Sequence, residues 1–451
     1  MDLCSYTKYP VVKDAEILRP IDDNSLINMI KNGGGWQRFI PRGQGKSFGD
    51  CALAKRVICP ERMHRILSFD KKNGIIAAEA GIMLREILEV TVPSGWFLTT
   101  TPGTGLISLG GAIGSDVHGK DHHINGSFCQ SVLWFDLWTP AYGVIRCSAA
   151  EHEEIFRATA GGMGLTGVVL RAAIRLMKIR SVFIKQSIVK SGSLAETMDT
   201  FVKYGEKLPF SVAWMDVLKS GKEQGRSIFM GGRFAEPEEL PTRYQREPLR
   251  LPRKLKLSVP FDLPSFTLNK YTVSAFNALY YGKFKKGLTE NIVDYDTFFY
   301  PLDKIYNWNR IYGKAGFAEF QCVVPKDQAR KTFSKILTTI SAHGQGTFLT
   351  VFKLFGRQAH YPCNISFPME GYTLNLDFKV NPGVFPLMDE LDRYVMDAGG
   401  RTYLSKDCRL SKEVFWQEYR GNAEGFMEIR AKADPEGMLS SLQSRRIGLS
   451  V

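Results

Sequence analysis

Between residues 101 and 128 the chain reads TPGTGLISLGGAIGSDVHGKDHHINGSF, with seven glycines, three histidines and few bulky side chains. Backbone this bare can approach a flat ring or a diphosphate closely. PRGQGKSFGD at 41–50 and GGMGLTG at 161–167 repeat the pattern, and three glycine loops in one region point to a large, extended cofactor. PRGQGKSFGD has the makings of a nest, in which glycines adopt positive φ and aim several N–H donors at one anion. One glycine pair alone would mean no more than a turn. Together with the TPGTG and LGGAIGSDVHG loops it reads as a diphosphate cradle.

Two competing chemistries are excluded on residue grounds. GMGLTG fits GxGxxG, but a dinucleotide fingerprint needs a following helix and an acid about twenty residues on. Here VVLRAAIRLM is β-branched and strand-like, and neither Asp nor Glu occurs from Arg171 to Ala195. His118 and His122 have the HxxxH spacing of two metal ligands on one helical face. Gly119 and the glycines around it argue against a helix, so hydrogen-bonded histidines in a tight loop are expected, and no metal.

The elements around these loops change character along the chain. Up to about residue 180, short β-branched runs (RFIPRG, AKRVICP, GIIAAEAG, SVLWFDLWTP, YGVIRCS) alternate with glycine turns. The helical patterns DDNSLINMIKNG and MLREILEVTVPSG intervene. From about 183 to 400, strands such as RSVFIKQSIV, FAEFQCVVP, GTFLTVFKLFG and YTLNLDFKV alternate with helices such as DQARKTFSKILTTISAHG and FPLMDELDRYVMDAGG. That pattern predicts a sheet covered by helices. The fold class is α+β, since the repeating long helices of a doubly wound sheet are missing.

At 451 residues and 44% hydrophobic content, the chain is expected to form two domains with an ample core. No apolar run approaches the length of a membrane-spanning helix, and the opening MDLCSYTKYPVVKDAE lacks the pattern of a secretory signal. Eight scattered cysteines without a CxxC pair read as reduced thiols. The net charge of +13 is concentrated: residues 243–286 hold ten Lys/Arg against Glu247 and Asp262, hence +8. A solvated loop would explain a charge run by itself. Interleaving with Leu249, Leu251, Leu255, Leu257, Val259, Phe261, Leu263 and Phe266 suits a membrane surface better than a nucleic-acid groove. No nucleic-acid partner is expected.

PRGQGKSFGD, the 101–123 block and GGMGLTGVV together resemble the FAD-binding domain of vanillyl-alcohol-oxidase-type flavoproteins. VHGKDHH, NKYT, FYPLDKIYNWNRIYGKAGF, VFKLFG, LDF and YLSKDCR resemble, more narrowly, the decaprenylphosphoryl-β-D-ribose 2-oxidase family. The resemblance spans nearly the whole chain. It implies a two-domain flavoprotein: an FAD-binding domain over 1–182, a sheet-and-helix substrate domain over 183–400, and a return to the first over 401–451.

The resemblance places FAD among Gly43, Gly45, Lys46, Ser47, Gly103, Gly110, Gly111, His118, Gly119, Gly164 and Lys406. Lys406, His118 and Tyr312 fall at the reacting centre, and Tyr312, Gln321, Lys353, Asn375 and Asp377 on the substrate side. Lys46 stands where related flavoproteins carry a tethering histidine, so non-covalent FAD is expected. Asn375 stands where a cysteine is attacked by covalent inhibitors of mycobacterial members. Residue types leave Lys406 two roles: a cation stabilising charge on reduced flavin, or a base with a lowered pKa. By alternation alone, Gln321 and Asn375 face either inward to a substrate or outward to water. Trp308, Phe317 and Phe320 fit a core.

The implied reaction oxidises the ribose 2-hydroxyl of a polyprenylphosphoryl pentose to a ketone, which a separate short-chain reductase converts to arabinose. A membrane quinone is the implied electron acceptor. A soluble aldonolactone or alditol oxidase is the nearer alternative, and a non-enzymatic lipid- or nucleic-acid-binding protein the remoter one. The expected location is cytoplasmic or peripheral at the inner membrane, with the periplasmic side left open.

Overall fold

The computed structural model describes residues 1–32, 38–359 and 361–450. Two antiparallel sheets organise it. In the first, strands run in the order Gly143–Ser148, Val132–Thr139, Val168–Lys178, Ile75–Glu79, Ile66–Asp70, with Trp96–Leu98 pairing the far end of Val168–Lys178. The segment after GMGLTG is therefore a central strand, as its β-branched composition requires. A parallel trio of Glu16–Leu18, Arg56–Ile58 and Ile40–Pro41 lies alongside. Helix Asp23–Asn32 forms where DDNSLINMIKN predicts it, and Gly33, its expected terminator, lies outside the described residues.

The second sheet has eight strands, in the order Leu288–Asp294, Phe183–Ser191, Ser227–Phe234, Phe210–Met215, Thr350–Phe355, Gly371–Lys379, Phe317–Val324, Arg401–Thr402. Period-two alternation splits its residues between two environments. Ala318, Phe320, Cys322 and Val324, with Leu374, Leu376, Phe352 and Leu354, pack under helices Leu194–Thr200, Lys326–His343 and Val384–Asp397. Their neighbours Phe317, Glu319, Gln321, Thr373, Asn375, Asp377 and Lys353 are left for the other face. That face looks toward the glycine loops.

After the edge strand Arg401–Thr402, the chain returns to the first sheet's side. Helix Lys412–Ala433 buries Phe415, Tyr419 and Phe426 in the same core as Phe156 and Leu137, and Leu439 bridges Phe39. All eight cysteines are free.

Residues 243–286 form an outlying flap. Leu255 is 93% exposed and Phe266 75%, beside Arg253, Lys256 and Lys270. Its helix, Lys270–Gly282, is tied down at Asn277, which is fully buried and donates to Asp216 Oδ1 at 2.9 Å. Asp216 in turn holds Arg226 at 2.8 Å. Among the described residues, no helix is long and apolar enough to cross a membrane.

Candidate active site

Between the glycine loops and the polar face of the second sheet lies a cavity of about 1070 Å³. Ligand sites commonly span ~300–1,000 Å³, so this one has room for a dinucleotide with substrate beside it. Gly43, Gly45, Lys46, Ser47, Gly103, Gly110, Gly111, Gly119 and Gly164 all line it, as the sequence motifs require.

Close packing or a positive φ accounts for most of these glycines. A Cβ on Gly119 would stand 2.1 Å from Asp121 Oδ1 and 2.7 Å from the Thr101 carbonyl oxygen. Gly164 adopts φ +78°, and a Cβ there would meet Pro41 Cγ at 2.6 Å. A Cβ on Gly103 would instead project into open space. One segment differs from expectation: LGGAIG is a helix, Leu109–Gly114, rather than a loop. Ser108 caps it, Oγ accepting from Gly111 N at 3.2 Å, and the first turn sets Gly110 against Ala80. A serine cap outweighs glycine's poor helix propensity over so short a run.

The three histidines point to three different partners. His118 Nε2 accepts from the Gln321 amide at 3.0 Å, His122 Nε2 meets Gln358 Oε1 at 3.0 Å, and His123 Nε2 meets the Leu208 carbonyl at 2.8 Å. Burial holds His118 well below the usual imidazole range and His122 down to about 3, so both are neutral near pH 7. His118 lines the cavity, its ring packed on Phe355 at 4.9 Å and Tyr403 at 5.2 Å. Its Nδ1 has no protein partner, which leaves it available to a ligand.

Gln321 and Asn375 face inward. Gln321, 3% exposed, also reaches Thr373 Oγ1 at 3.2 Å, and Asn375 Nδ2 donates to Asp377 Oδ1 at 3.4 Å. Lys406 Nζ lies 3.0 Å from Glu319 Oε1 and 3.6 Å from the centre of the Phe48 ring. Lys353 lines the same wall, its ammonium pushed down to about 7 by burial and then by the charge of Lys406. Phe317 and Phe320 are core residues, while Trp308, 7% exposed, also lines the cavity.

Tyr312 is set one layer back from the other predicted residues. It does not line the cavity but lies behind the wall, 1% exposed, stacked on Phe317 at 4.3 Å and on Phe348 at 5.7 Å. Burial, then the nearby Asp377 and Glu319, raises its phenol well above the usual range. The turn Trp308–Tyr312 ends at Gly313, and the ring direction this sets cannot be read from the motif.

Residues 35–148 match the family described as FAD binding domain. Over 444 residues the chain is 35% identical to a decaprenylphosphoryl-β-D-ribose oxidase from Mycolicibacterium smegmatis, covering 96% of this chain and 95% of that protein. The chain belongs to the decaprenylphosphoryl-β-D-ribose oxidase family. It is an FAD-dependent oxidoreductase of the two-domain α+β flavoprotein type. An uncharacterized protein of Streptomyces coelicolor is 30% identical over 82% of this chain and its own whole length. L-gulonolactone oxidase of Scyliorhinus torazame is 30% identical over 37% of this chain and 38% of its own.

Against that family background, the sequence reading missed two charged groups. Lys120 sits inside the quoted VHGKDHH block; its Nζ donates to the Phe298 carbonyl and lies 4.9 Å from that ring's centre. Burial, then Lys353, pushes it down to about 7. Glu319 shares the inward face of its strand with Gln321, two residues away, so the alternation that places one places the other.

The cavity extends beyond these polar groups. Ile188, Trp214, Met230, Phe276, Tyr280 and Phe284 line an apolar lobe that ends at the flap helix, and Tyr280 packs edge-on to Trp214 at 4.8 Å.

Proposed function

We propose that this enzyme oxidises the ribose 2-hydroxyl of a polyprenylphosphoryl-β-D-ribose to the 2-keto sugar, the first half of epimerisation to the arabinose donor. The observation that carries this reading is the continuity of one cavity from the glycine loops, past Lys406, Lys353 and Lys120, into an apolar lobe beneath an exposed basic flap. A flavin site serves the sugar, the cations serve its phosphate, and the lobe serves the first units of a lipid chain. A soluble aldonolactone oxidase has no use for the last two. The partial match to L-gulonolactone oxidase keeps it as the second reading.

FAD, when bound among the glycine loops, supplies the hydride acceptor. The chain's own residues supply position and charge. Gln321 and Asn375 hydrogen-bond the sugar hydroxyls and present one carbon to the flavin. Lys406, paired with Glu319 at 3.0 Å, would offer its positive charge to the ring of a flavin held among the glycine loops. Lys353 and Lys120 hold the phosphate, and His118 stays neutral, with Nδ1 free for the cofactor or sugar.

The division of labour follows the chain: 1–182 with 401–451 for FAD, 183–400 for substrate. Lys46 in place of a tethering histidine supports non-covalent FAD. The flap 243–286 rests on an anionic membrane, cytoplasmic or peripheral, where a quinone takes the electrons and a short-chain reductase takes the ketone.

The test is the fate of the sugar. Turnover of polyprenylphosphoryl ribose with an artificial electron acceptor, trapped with borodeuteride, places deuterium at the sugar C2. Label elsewhere, or none, overturns the assignment.

A further inference from the structure

The two inner strands of the second sheet bring two carboxyls face to face. Strand Phe317–Val324 pairs with Gly371–Lys379 in a register that sets Glu319 directly opposite Asp377 and Gln321 opposite Asn375. Like charges at opposed positions repel, and burial makes that costlier: Glu319 is 2% exposed and Asp377 fully buried. Among the described residues, the one cation within ion-pair distance of Glu319 is Lys406, at 3.0 Å, and no such partner reaches Asp377. One positive charge balances one carboxylate. The pair therefore keeps a proton, as two carboxyls sharing a site do.

Geometry assigns that proton. Lys406 sits on Glu319 alone, whereas Asp377 receives one long contact from Asn375 and leaves Oδ2 without a hydrogen bond. The other titratable groups facing the pair are Lys353 from the adjoining strand, the phenol of Tyr312, and Tyr403 from the turn that carries Lys406. Burial and the charge of Glu319 raise Asp377 well above the carboxylate range; Lys406 offsets part of the same burial effect at Glu319.

We propose that Glu319, kept ionised by Lys406 and flanked by a protonated Asp377, is the base that takes the substrate hydroxyl proton. The inference rests on the alcohol-oxidising reading above and adds the proton's destination to it. In the step, the C–H bond breaks with its electron pair going to FAD, and the O–H bond breaks with its proton going to the Glu319 carboxylate. The C=O bond forms; the alcohol is oxidised and the flavin reduced.

The test is anaerobic stopped-flow reduction of the FAD-loaded protein, with pH varied. The reductant is polyprenylphosphoryl ribose or, if that leaves the wild type oxidised, an aldonolactone that bleaches it. A base of this kind contributes on the order of 10²–10⁴-fold. Glu319→Gln should slow reduction by that factor, keep its FAD and its substrate dissociation constant, and lose the rise in rate with pH that the wild type shows as Glu319 ionises. Reduction at the wild-type rate, or an unchanged pH profile, overturns the proposal. If Glu319→Gln does not hold FAD, Glu319→Asp decides: a slowed rate with the rising limb kept is expected, and a wild-type rate overturns it. A second arm needs no substrate. Infrared spectra of the resting holoenzyme should show a protonated-carboxyl band that is lost in Asp377→Asn and that shifts when the protein is labelled with carboxyl-13C aspartate. A band lost in Asp377→Asn that shifts instead with 13C-labelled glutamate overturns the proposal even if no sugar reduces the wild type, an outcome that would by itself remove only the reaction assigned above.

Discussion

Lys353 makes the phosphate site sensitive to pH in a direction that can be worked out. Burial and the charge of Lys406 push its ammonium down to about 7, so the substrate-free protein loses this proton as the medium turns alkaline. An anion docked on it favours the charged form, so the complex keeps the proton to higher pH. Below about 7 the lysine is charged in both states and affinity does not change with pH. Above it, binding takes up a proton, and affinity falls tenfold per pH unit. From about pH 7 to about pH 9 that is about 100-fold, or about 2.7 kcal/mol. Lys120, pushed to about 7 by its own burial and by Lys353, doubles the slope if the same phosphate touches it. Isothermal titration of oxidised holoenzyme with farnesyl phosphate, in buffers of different ionisation enthalpy, reads both the affinity and the proton count. Lys353→Met should bind more weakly at about pH 6.5 and lose one unit of slope. Affinity independent of pH, or an unchanged slope in Lys353→Met, refutes the reasoning.

Other consequences are simpler to check. Acid precipitation should leave all the flavin in the supernatant, since Lys46 offers no imidazole for a covalent tether; yellow pellets would contradict that. Gly119→Ala should fail to retain FAD and should melt earlier, because its Cβ would lie 2.7 Å from the Thr101 carbonyl oxygen, where backbone must move. Asn277→Ala removes the donor to Asp216 and should cost about 1–3 kcal/mol in urea unfolding, with flavin content unchanged. Vesicles with anionic headgroups should bind the protein, and reversing Arg253, Lys256 and Lys270 to Glu should abolish binding, at roughly 1 kcal/mol per charge. Equal binding to neutral vesicles would remove the electrostatic part of that reading.

The sequence revealed the site by composition and the fold by period. Glycine loops at 41–50, 101–119 and 161–167 converge on one cavity, and each contains a glycine that packing forbids to carry a Cβ. Strands at 317–324 and 371–379 were legible because their alternate residues are apolar for a helix layer and polar for the cavity. Alternation left open which face was inside. The helix layer settles it, turning Gln321 and Asn375 inward and bringing Glu319 with them. LGGAIG escaped as a helix because glycine propensity speaks against one and the serine cap decides. The depth of Tyr312 behind the cavity wall was not legible, because a motif fixes a position in the chain, whereas stacking on Phe317 and Phe348 fixes where the ring lies.

The most direct measurement of the central claim is anaerobic mixing of the purified, FAD-loaded protein with polyprenylphosphoryl ribose, free ribose and an aldonolactone in parallel, following the flavin absorbance. Rapid, stoichiometric bleaching by the lipid-linked sugar, with the other two slower by orders of magnitude, is the predicted result. Bleaching by the free sugars while the lipid-linked ribose leaves the flavin oxidised would contradict it.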